Sequence, residues 1–194
     1  TEEYKKAKKE ILLALKINNT DPQAYNSLGI INDSDGNHIE AIEAYQNAIK
    51  LDPNNPETHL SLGMSYSDIK KYNEAIDSFK KSIAIMPNQE TALSMLANTY
   101  QDLDKFELAI ETYKKLVAVN PNNLSARKSL GLLYRINKEY DLALDQYNEI
   151  LRNIDPQNLD AKYKIAGTYN IQGKHKKAYE ILKSIIPLTP NNKN

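Results

Sequence analysis

The chain of 194 residues has no cysteine and no tryptophan, and it holds only two phenylalanines and six glycines. Without cysteine there is no disulfide framework, no thiolate nucleophile and no Cys-ligated zinc, while reducing and oxidising compartments both stay open. Charge of one sign is missing as well: 25 basic residues balance 25 acidic ones, so bulk electrostatics draws neither nucleic acid nor an anionic membrane. No stretch approaches the roughly 18 apolar residues of a membrane-spanning helix, and the opening TEEYKKAKKE lacks the layout of a signal peptide. The expectation is a soluble chain with no nucleic-acid partner and no membrane insertion, its compartment open with a leaning to the cytoplasm. Catalytic signatures are absent too: no Gly-rich phosphate loop, no G-x-S-x-G elbow, no HExxH and no Ser/His/Asp pattern. Neither an enzyme nor a bound cofactor or metal is expected.

What the sequence does contain is a period. Gly29, Gly63, Ala97 and Gly131 stand 34 residues apart, and Ala166 joins them after one inserted residue. Ala7, Ala41, Ala75, Ala109, Ala143 and Ala178 form a second column, and Pro53, Pro87, Pro121, Pro156 and Pro190 a third. Leu28, Leu62, Leu96, Leu130 and Ile165 run between them, as do Tyr45, Phe79, Tyr113 and Tyr147. So many coincident columns are not chance. Within each unit the apolar residues fall at helical spacing, as in Tyr72, Ala75, Ile76, Phe79 and Ile83, which predicts two antiparallel helices per repeat. Tight turns are expected at Asp35-Gly36-Asn37, Lys70-Lys71, Asp104-Lys105, Lys138-Glu139 and Gly173-Lys174.

An aromatic, then Leu-Gly, Tyr, Ala, an aromatic and Pro at fixed offsets resembles the tetratricopeptide repeat, with Leu62, Gly63, Tyr66, Ala75, Phe79 and Pro87 matching in the unit 56–89. His59 stands where the family often has Trp, and Asn32 where the other repeats carry Tyr. The resemblance implies an all-α fold: a right-handed α-solenoid superhelix of antiparallel helix pairs in a single domain over 1–192. We divide it into a half repeat 1–21, five full repeats at 22–55, 56–89, 90–123, 124–158 and 159–192, and a tail at 193–194. The small columns are expected where helices cross closely, with Tyr66, Tyr72 and Phe79 filling the wedge between repeats. The extra residue near Asn153-Ile154 is expected in the turn before Asp155-Pro156, and Pro187 is expected to end the last helix near Ile186. Because a half repeat cannot bury its own apolar face, the chain reads as a piece of a longer protein.

With no catalytic constellation, function is expected on the concave face, which the family builds from the first helix of each repeat. The resemblance carries this over to Asn26, Ile30 and Asp33, then Leu60, Met64 and Asp68, then Ser94, Asn98 and Asp102. In the last two repeats it falls on Lys128, Leu132 and Arg135, then Tyr163 and Asn170, with Ile136 and Ile171 beside them. Asp33, Asp68 and Asp102 make an acidic edge, whereas Lys128, Arg135, Arg127, Lys162 and Lys164 make the later units basic. Scattered apolar surface residues are ordinary, but a clustered strip marks interaction. His38 and His175 stand in an otherwise aromatic column and read as packing substitutes rather than ligands. The Lys/Asn/Arg clamp with which some relatives hold chaperone C-terminal carboxylates is not reproduced, so no such role is expected. The leading expectation is a non-catalytic scaffold that binds a partner helix or extended peptide. Two alternatives are end-to-end self-association through Ile11, Leu15, Ile181 and Ile185, and a docking arm of a larger enzyme whose catalytic domain lies outside these residues.

Overall fold

A computed structural model of the chain describes residues 2–185. Every regular element among them is helical: α1 Glu2–Ile17, α2 Pro22–Ser34, α3 His38–Leu51, α4 Pro56–Asp68, α5 Tyr72–Ile85, α6 Glu90–Asp102, α7 Phe106–Val119, α8 Leu124–Ile136, α9 Tyr140–Glu149, α10 Leu159–Ile171 and α11 His175–Ile185. The expected stop near Ile186, the prolines beyond it and the tail at 193–194 lie outside the described residues.

The first helix of each pair, α6 excepted, starts on a side-chain cap. Asp21, Asn55, Asn123 and Asn158 each turn a side-chain oxygen onto the free N–H groups of the first turn, for example Asn158 Oδ1 accepting from Ala161 N at 2.9 Å. Pro22 and Pro56 follow at the first helical position, where no N–H is needed. The helix stops on a left-handed residue: Gly36, Lys70, Asp104, Lys138 and Gly173 all have positive φ. In the turn at Lys70 the paired bonds are Lys71 N to Tyr66 O at 2.8 Å and Lys70 N to Ser67 O at 2.9 Å, which absorb the last carbonyls and aim the chain back.

Packing follows the small columns. A Cβ built on Gly29 would lie 2.4 Å from the Tyr45 ring, on Gly63 2.5 Å from Phe79, and on Gly131 2.4 Å from Tyr147. Each ring is therefore pressed onto the glycine of its own repeat, and Tyr45, Phe79 and Tyr147 are fully buried. Of the rings expected between repeats, Tyr66 does pack on the preceding repeat, against Ala41, Ile42 and Tyr45, whereas Phe79 seats on the glycine of its own repeat; Tyr66 and Tyr72 are half-buried. Gly167, one place past the column, has nothing within 4 Å of the position a Cβ would take.

The inserted residue is not in a turn. α9 runs on as a π-helical turn, Ile150–Ile154, closed by Asp155 N to Ile150 O at 2.8 Å, so this second helix is one residue longer than the 14 of α3, α5 and α7. A helix absorbs one extra residue by widening to i→i+5 bonding. This keeps Ile150 fully buried and returns the chain in register at Asn158.

The chain divides into two compact units between Asp104 and Lys105. In the first, α1 packs on α2, consecutive helices pack on each other through α6, and the first helices α2, α4 and α6 also touch in sequence. Ala41, Ile42, Tyr45 and Leu62 form a core there, with Ile49, Tyr66 and Ile69 against it. In the second, α7 to α11 pack consecutively and the π turn meets α8, α9 and α10.

Candidate functional site: the first-helix faces

In the first unit Asp33, one of the three residues of the acidic edge, is structural, whereas Asp68 and Asp102 are exposed. Asp33 Oδ2 accepts from the Tyr45 hydroxyl at 3.0 Å and from Ser65 Oγ at 2.7 Å, while Oδ1 lies 3.0 Å from His38 Nδ1. Burial first, and the Asp33 carboxylate second, hold the Tyr45 hydroxyl well above the usual phenol range. Asp68 Oδ2 stands 3.7 Å from the same His38 nitrogen. His38 therefore acts as a polar bridge between two carboxylates, not as a packing ring. His175 likewise holds Asn170 Oδ1 through Nδ1 at 2.8 Å. Asn26 accepts from Thr58 Oγ1 at 3.2 Å and ties α2 to α4.

Ile30 and Met64 are exposed on this face, as are Asn98 and Asp102, and Ser94 is half-buried. Leu60 is not: it is 6 % exposed. α4 lies between α2 and α6, so its fifth position is covered from both sides, and an apolar side chain there becomes core. Leu60 is withdrawn from the exposed strip.

In the second unit the apolar residues expected on the first-helix faces stay exposed. Leu132 and Ile136 on α8 and Tyr163 and Ile171 on α10 are all exposed, Tyr163 at 49 % and Ile171 at 53 %. Lys128 Nζ meets Asp160 Oδ2 at 2.8 Å across the same two helices. Arg127, counted among the basic residues, turns away: Nε donates to Pro121 O at 2.7 Å and Nη1 to Gln146 Oε1 at 3.1 Å, and the residue is buried. Arg135 is half-buried beside Tyr147, and burial raises the Tyr147 hydroxyl while the neighbouring guanidinium opposes the shift.

Among the described residues no cluster of three His, Cys, Asp or Glu side chains could hold a metal ion, and no helix is long and apolar enough to cross a membrane.

Three family models match: TPR repeat over residues 34–70, and tetratricopeptide repeat over 56–89 and 94–158. Among solved structures, MamA protein is 31% identical with a TM-score of 0.75, the match covering 84% of this chain and 88% of that one. The chain belongs to the tetratricopeptide repeat family. YrrB, described as a TPR protein with an unusual peptide-binding site, is 25% identical with a TM-score of 0.78, covering 94% of this chain and 93% of its own. MamA from Desulfovibrio magneticus RS-1, 18% identical with a TM-score of 0.73 over 89% of this chain and 97% of that one, shares the fold. No curated protein matches. The chain is thus an all-α helical-repeat protein of the interaction-scaffold kind.

Two grooves of this tetratricopeptide repeat protein were not anticipated from its sequence. One, of about 350 Å³, lies among α3, α4 and α5 and is lined by His59, Lys50, Glu74, Asp77 and Lys81. His59 Nε2 bonds Pro53 O at 2.9 Å, as Arg127 Nε bonds Pro121 O, but Nδ1 is buried without a partner. The other, of about 260 Å³, is lined by Tyr25 one repeat earlier. The signal was the variable column Tyr25, His59, Leu93, Arg127 and Lys162, where side chains smaller than the Trp the family often has leave room. At the ends, Leu12, Leu13 and Ile17 of α1 are exposed, whereas Ile11 and Leu15 are half-buried. Ile181 is half-buried and Ile185 is 1 % exposed, because Ala178, Ile181 and Ile185 make the stripe of α11 that faces α10. Ile185 is therefore not available for end-to-end contact.

Proposed function

We propose that this protein is a non-catalytic scaffold and that the face made by α8 and α10 binds an extended peptide or helix of a partner protein. The observation that carries it is the exposure of Leu132, Ile136, Tyr163 and Ile171, four large apolar side chains on two first helices that the Lys128–Asp160 ion pair links. Water is a poor covering for such a strip, and apolar patches rimmed by charge are how interaction sites present themselves. Lys128, Asp160 and Arg135 supply the rim. In the first unit Ile30 and Met64, with Asp68 and Asp102 beside them, offer a smaller face of the same kind. The YrrB structure, described as having a peptide-binding site, supports the class of ligand.

The test is a displayed peptide library selected on the native chain. Selected peptides should lose at least tenfold in affinity for a Leu132→Asp, Tyr163→Asp double variant and keep their affinity for Ile39→Asp, a substitution of an exposed residue on a second helix. Equal binding to all three proteins would move the site elsewhere. A second reading, self-association, is favoured by exposed Leu12, Leu13 and Ile17 on α1. Light scattering that stays at the monomer mass over a hundredfold range of concentration discards it.

A further inference from the structure

The carboxylate of Asp33 shows what a tyrosine hydroxyl buried at this point of a repeat requires. Tyr45 donates to it at 3.0 Å, and Ser65 and His38 complete its shell. Three repeat lengths further on, the same two positions hold Arg135 and Tyr147. The acid has become a base. Tyr147 is 1 % exposed. The Arg135 guanidinium stands beside its hydroxyl oxygen, but the hydroxyl proton finds no acceptor, and Nε of Arg135 is buried with none either. Each buried donor without an acceptor is costly, and here two adjacent ones point to a missing partner. The acid close by does not supply it, since Asp160 is engaged by Lys128 at 2.8 Å.

Resting on the peptide-binding face proposed above, we infer that Arg135 and Tyr147 receive a side-chain carboxylate of the partner, which takes on α8 the place that Asp33 takes in the first unit. A carboxylate is acceptor-only, can take Nε–H and a second guanidinium N–H in parallel, and has a further lone pair for the phenol. Its chemistry thus matches the two orphaned donors, and its charge matches Arg135. Arg135 is half-buried, so part of its side chain meets solvent, while Nε and the Tyr147 hydroxyl lie beneath that surface. Apolar side chains flank it in both directions, Leu132 and Tyr163 towards the starts of the two helices and Ile136 and Ile171 towards their ends. A bound chain therefore continues past the carboxylate on both sides, which selects an internal Glu or Asp rather than a chain end.

Three probes separate the outcomes on the full chain: N-acetyl-Leu-Glu-Leu-amide, its Gln counterpart, and N-acetyl-Leu-Gln-Leu with a free C-terminal carboxylate. Binding is followed by NMR, including the arginine Nε–H resonances. The Glu peptide is expected to bind about tenfold tighter than either other probe and to shift Arg135 Nε–H. Tyr147→Phe should reduce that preference several-fold and leave the Gln peptide unchanged. Arg135→Asp, which supplies the acceptor from within as Asp33 does, should abolish it, and Arg135→Gln repeats the test if that variant fails to fold. Equal binding of Glu and Gln probes with shifts at Leu132 and Tyr163 overturns this inference and leaves the peptide face standing. A preference for the free C-terminus overturns it in favour of a chain end. No shift on α8 or α10 with any probe removes both.

Discussion

Gly63 and Gly167 sit in the middle of equivalent helices and should respond to alanine with opposite signs. At Gly63 a methyl group meets the Phe79 ring at 2.5 Å, and a rigid buried ring cannot yield as the tip of a flexible side chain would. Overpacking outweighs the gain in helix propensity, so Gly63→Ala should destabilise by about 1 to 3 kcal/mol. Nothing crowds Gly167, so Gly167→Ala should stabilise by roughly 0.5 to 1 kcal/mol. Chemical denaturation of the two variants beside the parent checks both. At this scale the sequence is a mixed guide. The glycine column was legible because each member recurs a fixed distance from a ring, which is how a steric requirement of one residue writes itself into a repeat. The work of Asp33 was not legible: its partners His38, Tyr45 and Ser65 lie at three different separations, and Ser65 belongs to the next repeat. Leu60 misled for a related reason, because position along a helix says which way a side chain points but not what neighbouring helices cover.

The helix ends carry their own predictions. Lys138 sits at φ 61°, a left-handed conformation that disfavours any residue with a Cβ, while Gly36 and Gly173 occupy the same turn position in other repeats. Lys138→Gly should therefore stabilise by up to about 1 kcal/mol in thermal melts, the relief of strain exceeding the added backbone entropy. Removing the cap with Asn158→Ala should lower stability by about 1 kcal/mol, since Ala161 N would lose its acceptor. Helices and their turns were readable in advance, from Asx-Pro starts and tight turns every repeat. The π turn was not, because an added residue in a loop and an added residue in a helix look alike in sequence. What decides is that Ile150 stays buried, which requires the bulge to come after it.

For the molecule as a whole, the buried phenols set an alkaline limit. Tyr45 in one unit and Tyr134 and Tyr147 in the other are all pushed above the ordinary tyrosine range, chiefly by burial. In the unfolded chain these groups lose their protons near pH ~10, whereas the folded chain holds them to higher pH. Above that point the unfolded state binds fewer protons, so stability contributed by these groups is full below about pH 10 and declines as pH rises beyond it. Urea titrations between pH 8 and 11 should show a midpoint that is flat and then falls, and a Tyr45→Phe, Tyr147→Phe double variant should fall less steeply. A parent whose midpoint does not move over that range would show that these hydroxyls are not held protonated by the fold. The exposed face of α8 and α10 belongs to this scale too. Its residues were all named from the family pattern, but the unpartnered donors of Arg135 and Tyr147 beneath it depend on burial that only the fold creates.

Each glycine and the ring it seats lie inside one unit, Gly29 with Tyr45, Gly63 with Phe79 and Gly131 with Tyr147. A gene encoding this chain could thus gain or shed whole 34-residue cassettes without separating a lock from its key. The bonds Thr58 to Asn26 and Ser65 to Asp33, which join adjacent cassettes, mean that shuffling their order would not be neutral.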